Sequence, residues 1–242
     1  MVGRRPKNIA KEQIFDVFRA SVESGQAKVT ISATVEAAGM NRKTFYNHFS
    51  SKEELAAWGF RHDLYQVICA NHEIVADDET ISGDSKAVRL LYSPSDPYDF
   101  DGLPCYFRVA KGTISLDQSS YFYDFYDVFR IYKSYYRALM RSDIEMPFCR
   151  YLTDLLQGLF YEDLDYFLNG RKMPEEAKGY IAAFYAEGVV HHAVSSLLGS
   201  VSHRREIEGI SVVSNLVHES MLQIVEAYQK ERSFNYFHST RY

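Results

Sequence analysis

Cysteine is scarce in this 242-residue chain: three, at positions 69, 105 and 149, with no CxxC-type spacing. A sparse, odd count fits free thiols in a reducing compartment better than a disulfide framework. Proline (6) and glycine (13) are also few, which disfavours a turn-rich all-β chain and favours helices. No apolar run approaches 18 residues, so no membrane span is expected. The opening MVGRRPKNIAKEQ has no apolar stretch of the kind a secretory leader needs, and a cytoplasmic protein is expected. Motifs for catalysis or nucleotide binding are missing: there is no GxSxG, P-loop, HExxH or GxGxxG. Enzyme activity and cofactors are therefore not expected. Metal ligation has little behind it. His191 and His192 are adjacent and point about 100° apart on a helix, so they cannot chelate as an i,i+4 pair would. A buried, hydrogen-bonded His192 is the better reading, and the acidic Asp77–Asp78–Glu79 run reads as a solvated loop.

What is present is unevenly distributed. The whole chain carries 27 basic and 32 acidic side chains, a net charge of −5. Residues 1–62 hold ten basic against six acidic, a net of +4, and the rest of the chain is at −9. A basic head on an acidic body is expected where only the head meets a polyanion. In the head, apolar spacing predicts a helix over 11–24, closed by Gly25. Thr30 caps a short helix to Ala38, with Gly39 as its stop, and Asn41 caps a third over 42–49. Ser50 or Ser51 caps a fourth, with Glu53 and Glu54 in its first turn, running to about Val75. Residues 76–104 read as loop with a short helical piece at 86–92, and 105–111 as another short helix. Longer helices are predicted over 119–141, 146–169, 174–198 and 204–230, and the tail from 233 is expected to fray.

Two short helices joined by AAGMNRKTF fit a helix-turn-helix, whose second helix enters the major groove. Arg42, Lys43 and Thr44 occupy its first turn. Arg42 suits the O6/N7 edge of a guanine, Thr44 a phosphate or a thymine methyl, and Asn47, one turn on, an adenine or the backbone. Phe45 and Phe49 on the opposite face should be core. The stretch TISATVEAAGMNRKTFYNHFSSKEEL resembles the N-terminal signature of the TetR/AcrR family of transcriptional regulators. Thr30, Ala38, Gly39, Thr44, Tyr46, His48, Phe49, Lys52 and Leu55 carry the resemblance, over about a quarter of the chain. It implies that Thr30, Tyr46 and Lys52 hold phosphates, that His48 lies near the DNA backbone, and that Arg42, Lys43, Thr44 and Asn47 read sequence. Phe18, Thr34 and Val35 depart from the residue types usual in the family. Arg4, Arg5 and Lys7 resemble a basic arm that some members lay on DNA; a merely solvated terminus is an equal reading.

The resemblance also implies an all-α protein: a three-helix head over 1–50, joined by the helix 51–75 to an effector-binding and dimerising body over 51–242. A homodimer would pair the helices 174–198 and 204–230. The first carries Ile181, Phe184, Tyr185, Gly188, Val189 and Leu197; the second carries Ile207, Ile210, Val213, Val217, Met221, Ile224 and Tyr228. Two heads one DNA turn apart read a palindromic operator. The aromatic helix 119–141 is the pocket candidate for a small-molecule effector, through Tyr121, Phe125, Tyr126, Phe129, Tyr132 and Tyr136. Core packing is the commoner fate of such a stripe. Two functions stay open at this point. One is a ligand-responsive repressor on palindromic double-stranded DNA. The other is a binding module, or partner-dependent activator, that keeps the fold without specific repression.

Overall fold

A computed structural model describes residues 8–25, 29–74, 87–91, 100, 102–109, 119–199 and 203–231. The basic arm at Arg4, Arg5 and Lys7, the acidic run at 77–79 and the tail lie outside these residues, as do the side chains of Ile207 and Ile210. Among the described residues the fold is all-helical apart from one small sheet. It runs α1 (Ile9–Glu23), α2 (Ile31–Ala37), α3 (Arg42–Tyr46), α4 (Lys52–Asn71), β1 (Glu73–Ile74), β2 (Ala87–Leu91), β3 (Tyr106–Val109), α5 (Ser119–Ile131), α6 (Lys133–Leu139), α7 (Glu145–Leu168), α8 (Glu175–Leu198) and α9 (His203–Glu231).

The head follows its capping residues. Thr30 accepts from the Ala33 N–H, Asn41 from Thr44, and Ser51 from Glu54, each holding an otherwise orphan donor of a helix start. Gly39, at φ 65°, turns the chain between α2 and α3 in a conformation that costs a side-chain-bearing residue. The faces opposite the caps converge on Phe15, Phe18, Phe45, Phe49 and Trp58, all almost fully buried. Trp58 meets Phe15 and Phe49 edge-on, at ring separations of 5.7 and 5.9 Å. Phe18, Thr34 and Val35, the departures from the family pattern, are all core residues. Gly59 lies directly under the Phe15 ring: a Cβ there would stand 2.0 Å from a ring carbon. That absence of a side chain lets α1 close onto α4.

Three expectations fail between residues 72 and 132. The fourth helix ends at Asn71, not at 75, and His72 is extended (ψ 155°). Its ring contacts Phe107 at 4.7 Å, and its Nε2 stands 2.9 Å from the Asp124 carboxylate. Tertiary partners thus draw His72 out of the helix. The helical pieces predicted over 86–92 and 105–111 are strands instead. β1 pairs parallel with β2, and β2 antiparallel with β3, with Val88 opposite Val109 and Leu90 opposite Phe107. Short apolar runs do not reveal their period, and the branched and aromatic side chains of AVRLL and YFRV suit a pleated surface. The aromatic helix, finally, is two helices that break at Tyr132 (φ −101°, ψ 35°). The break turns α6 so that it packs against α1 of the head.

The body is centred on aromatic rings. Phe60 of α4 touches Phe125, Phe129 and Phe148 at 5.6–6.0 Å. α7 packs along α8, with α9 against α5, α7 and α8.

Candidate nucleic-acid interface

The eight residues singled out for DNA lie on α2, α3 and their flanks and at the start of α4. Arg42, Lys43, Tyr46 and Asn47 are exposed, and His48 and Lys52 are partly so. Arg42 and Tyr46, one turn apart, are in contact: the guanidinium donates to the Tyr46 hydroxyl at 3.4 Å and lies 5.9 Å from its ring centre. Phe45 between them is buried and holds α3 to the head core. Thr44 is partly tied up, its hydroxyl donating to the capping oxygen of Asn41 at 3.2 Å. Thr30 is exposed but serves as the α2 cap.

Three of these residues meet around one groove. Thr30, Arg42 and Lys52 line it together with Ser50, Ser51 and Glu53, enclosing about 310 Å³. The start of α4 is braced by Glu54, buried, whose carboxylate accepts from both the Ser50 N–H and the Ser50 hydroxyl at 2.6 Å. Lys52 is engaged: its Nζ lies 2.5 Å from Asp143 Oδ2, in the turn between α6 and α7. Sequence reasoning missed this contact because 91 residues separate the partners.

A second junction between head and body is buried. Asp63 of α4, completely enclosed, takes Arg19 of α1 at 2.5 Å and the Tyr136 hydroxyl of α6 at 2.9 Å. Arg19 lies 4.5 Å from the ring centres of both Phe15 and Tyr132. Burial alone would lower the pKa of Arg19, but the Asp63 charge prevails and raises it. Burial, reinforced by the same carboxylate, pushes Tyr136 well above the ordinary phenol range. Sequence reasoning missed Asp63 because it follows Arg61 and His62 in the run between Phe60 and Leu64 and so reads as part of a polar patch.

The six candidate effector residues are brought together, though not on one helix. Tyr121, Phe125, Tyr126 and Phe129 are buried on α5, Tyr136 is buried on α6, and half-buried Tyr132 is the junction. Neighbouring rings contact one another at 5.0–6.1 Å. Tyr126 bonds His192 Nδ1 of α8 at 2.7 Å, so His192 is hydrogen-bonded as the sequence suggested. Burial, and to a lesser extent His191, lower the His192 pKa. The Tyr121 hydroxyl is buried without a hydrogen-bond partner.

The apolar stripe expected on α8 divides. Tyr185, Val189 and Leu197 face their own domain, whereas Phe184 is exposed by 72%; Tyr180, outside that stripe and one turn earlier, is exposed by 71%. On α9, Val217 and Met221 are buried, and Leu216 and Ile224 are exposed. Among the described residues no group of His, Cys, Asp or Glu could hold a metal ion, and no helix is long and apolar enough to cross a membrane.

A helix-turn-helix head with an outward-facing third helix, set on a helical body, is the architecture of a DNA-binding regulator. Residues 19–57 match the family model of bacterial regulatory proteins, tetR family, and residues 117–198 match that of a transcriptional regulator C-terminal region. The chain belongs to the TetR family and is a transcriptional regulator. No curated protein matches it. The solved structure of the dihydroxyacetone kinase operon activator DhaS is similar over 93% of this chain and 98% of that one, with 15% identity and a TM-score of 0.44.

Proposed function

We propose that the protein is a homodimeric repressor that binds a palindromic operator and is released by a small molecule. The observation that carries this reading is the gathering of Thr30, Arg42 and Lys52 around one groove beside the exposed α3. Thr30, Tyr46 and Lys52 hold phosphates, His48 lies along the backbone, and Arg42, Lys43, Thr44 and Asn47 read bases. Residues 1–50 form the head, α4 (Lys52–Asn71) the link, and 51–242 the body. Exposed Tyr180 and Phe184 on α8, with Leu216 and Ile224 on α9, support pairing of two copies through these helices. The effector sits among the aromatic residues of α5 and α6. It acts only through its different affinity for the DNA-bound and free arrangements of the two heads.

The test is selection from random duplex DNA at two salt concentrations. Enrichment of a palindrome is the expected result; bulk salt-sensitive binding without enrichment would remove sequence reading from the proposal. On an enriched site, Arg42→Ala should cost about 1–3 kcal/mol and relax preference at one position per half-site. An Arg42→Ala protein with unchanged preference would reassign that residue.

A further inference from the structure

We propose that Asp143 is an internal competitor for the DNA phosphate at Lys52, so that the body itself holds down the affinity of the head. The proposal rests on the reading of Lys52 as a phosphate contact.

Lys52 is the first residue of α4 and lines the groove shared with Thr30 and Arg42. In the free protein its ammonium points not into solvent but to Asp143 Oδ2, 2.5 Å away. A carboxylate oxygen offers an ammonium the same kind of acceptor as a phosphate oxygen. The two anions cannot both crowd Lys52 without repelling one another at a few ångströms. DNA binding therefore exchanges one for the other. The exchange is feasible because the pair is partly exposed: the side chains keep 18% and 39% of their accessible surface. Ion pairs of this kind are weak, unlike the enclosed Asp63 pair. The competitor is also not anchored in the head. Its turn follows α6, whose Tyr136 is bonded to Asp63 and whose neighbour Tyr132 marks the break from α5. A rearrangement of those aromatic helices changes where Asp143 stands, and with it the availability of Lys52.

The experiment is equilibrium titration of the full chain with a labelled random-sequence duplex at low salt, which needs no known operator because the contact is to the backbone. Asp143→Asn should bind about two- to fivefold tighter than wild type, the range set by an exposed ion pair. Glu145→Gln, which changes the charge equally in the same turn region, should bind like wild type. Lys52→Ala should bind more weakly, and adding Asp143→Asn to it should change nothing further. An Asp143→Asn protein that binds equally or less well would overturn the proposal. So would a gain that persists without Lys52, or one that Glu145→Gln matches, since either is a general charge effect. If Lys52→Ala binds as well as wild type, the phosphate reading of Lys52 itself fails, and the competitor falls with it.

Discussion

Arg19–Asp63 and Lys52–Asp143 both tie the N-terminal helices to the body, and both close at 2.5 Å. Their surroundings differ. Asp63 is wholly enclosed, shares its carboxylate with Tyr136, and faces a guanidinium packed among aromatic rings. Asp143 stands in a surface turn and bonds a single flexible ammonium. Removing a partner from the first leaves charge in a medium that solvates it poorly; removing one from the second exposes a group that water can serve. The same chemical pair is thus a fixed joint in one place and an exchangeable contact in the other.

Breaking the buried joint should have the largest effect. Asp63→Ala leaves Arg19 and the Tyr136 hydroxyl without their acceptor, and should cost about 3–5 kcal/mol in denaturant unfolding. Asp63→Asn keeps an acceptor for Tyr136 and should cost less. Equal losses for the two would show that the charge of Asp63 alone, and not its acceptor oxygens, holds the joint. Next in size is Gly59→Ala. Its Cβ would overlap the Phe15 ring, which Trp58 and Tyr135 enclose from other sides, at ring separations of 5.7 and 5.8 Å. Overpacking of this sort costs about 1–3 kcal/mol, and the pairing of Gly59→Ala with Phe15→Leu should recover part of it. No recovery would place the strain elsewhere.

The two regions were not equally legible. The head could be read from sequence because its helix starts are set by neighbouring residues: Thr30, Asn41 and Ser51 each cap within three positions. The exposure of Arg42 and Tyr46 and the burial of Phe45 and Phe49 follow from the helical spacing of the motif. The body depends on contacts between distant residues. Nothing local stops α4 at Asn71; His72 leaves the helix for Asp124 and Phe107. Nothing local breaks the aromatic helix at Tyr132, where the ring instead takes Arg19 from α1. Apolar spacing on α8 records hydrophobicity and not which neighbour covers it, so outward Phe184 and inward Tyr185 are equivalent in the sequence.

A third link, within the body, extends the comparison to a titratable pair. His192 accepts or donates at Tyr126, and burial lowers its pKa below the ordinary 6.5. The unfolded chain then binds the proton first as pH falls. The stability from neutral His192 is fully present above about pH 6.5 and is lost as pH drops from there toward the folded-state pKa. Wild type should therefore lose stability on acidification through this window by more than His192→Gln does. Parallel pH profiles for the two proteins would assign the acid sensitivity to other groups. Tyr126→Phe at neutral pH should cost about 1 kcal/mol, the usual worth of one hydrogen bond.

The exposed joint should give the smallest change in stability and the clearest separation of stability from function. Lys52→Ala loses one partly exposed ion pair, worth under about 1 kcal/mol, and Asp143 can return to water. Its unfolding midpoint should stay close to wild type while its affinity for duplex DNA falls at every sequence, with a salt slope shallower by about one phosphate contact per head. Asp63→Ala should behave in the opposite way. Whatever DNA affinity it loses should follow its loss of folded protein, and its salt slope should not change. If Lys52→Ala instead unfolds as readily as Asp63→Ala, the N-terminus of α4 is a second fixed joint, and exchange with phosphate is not available to it.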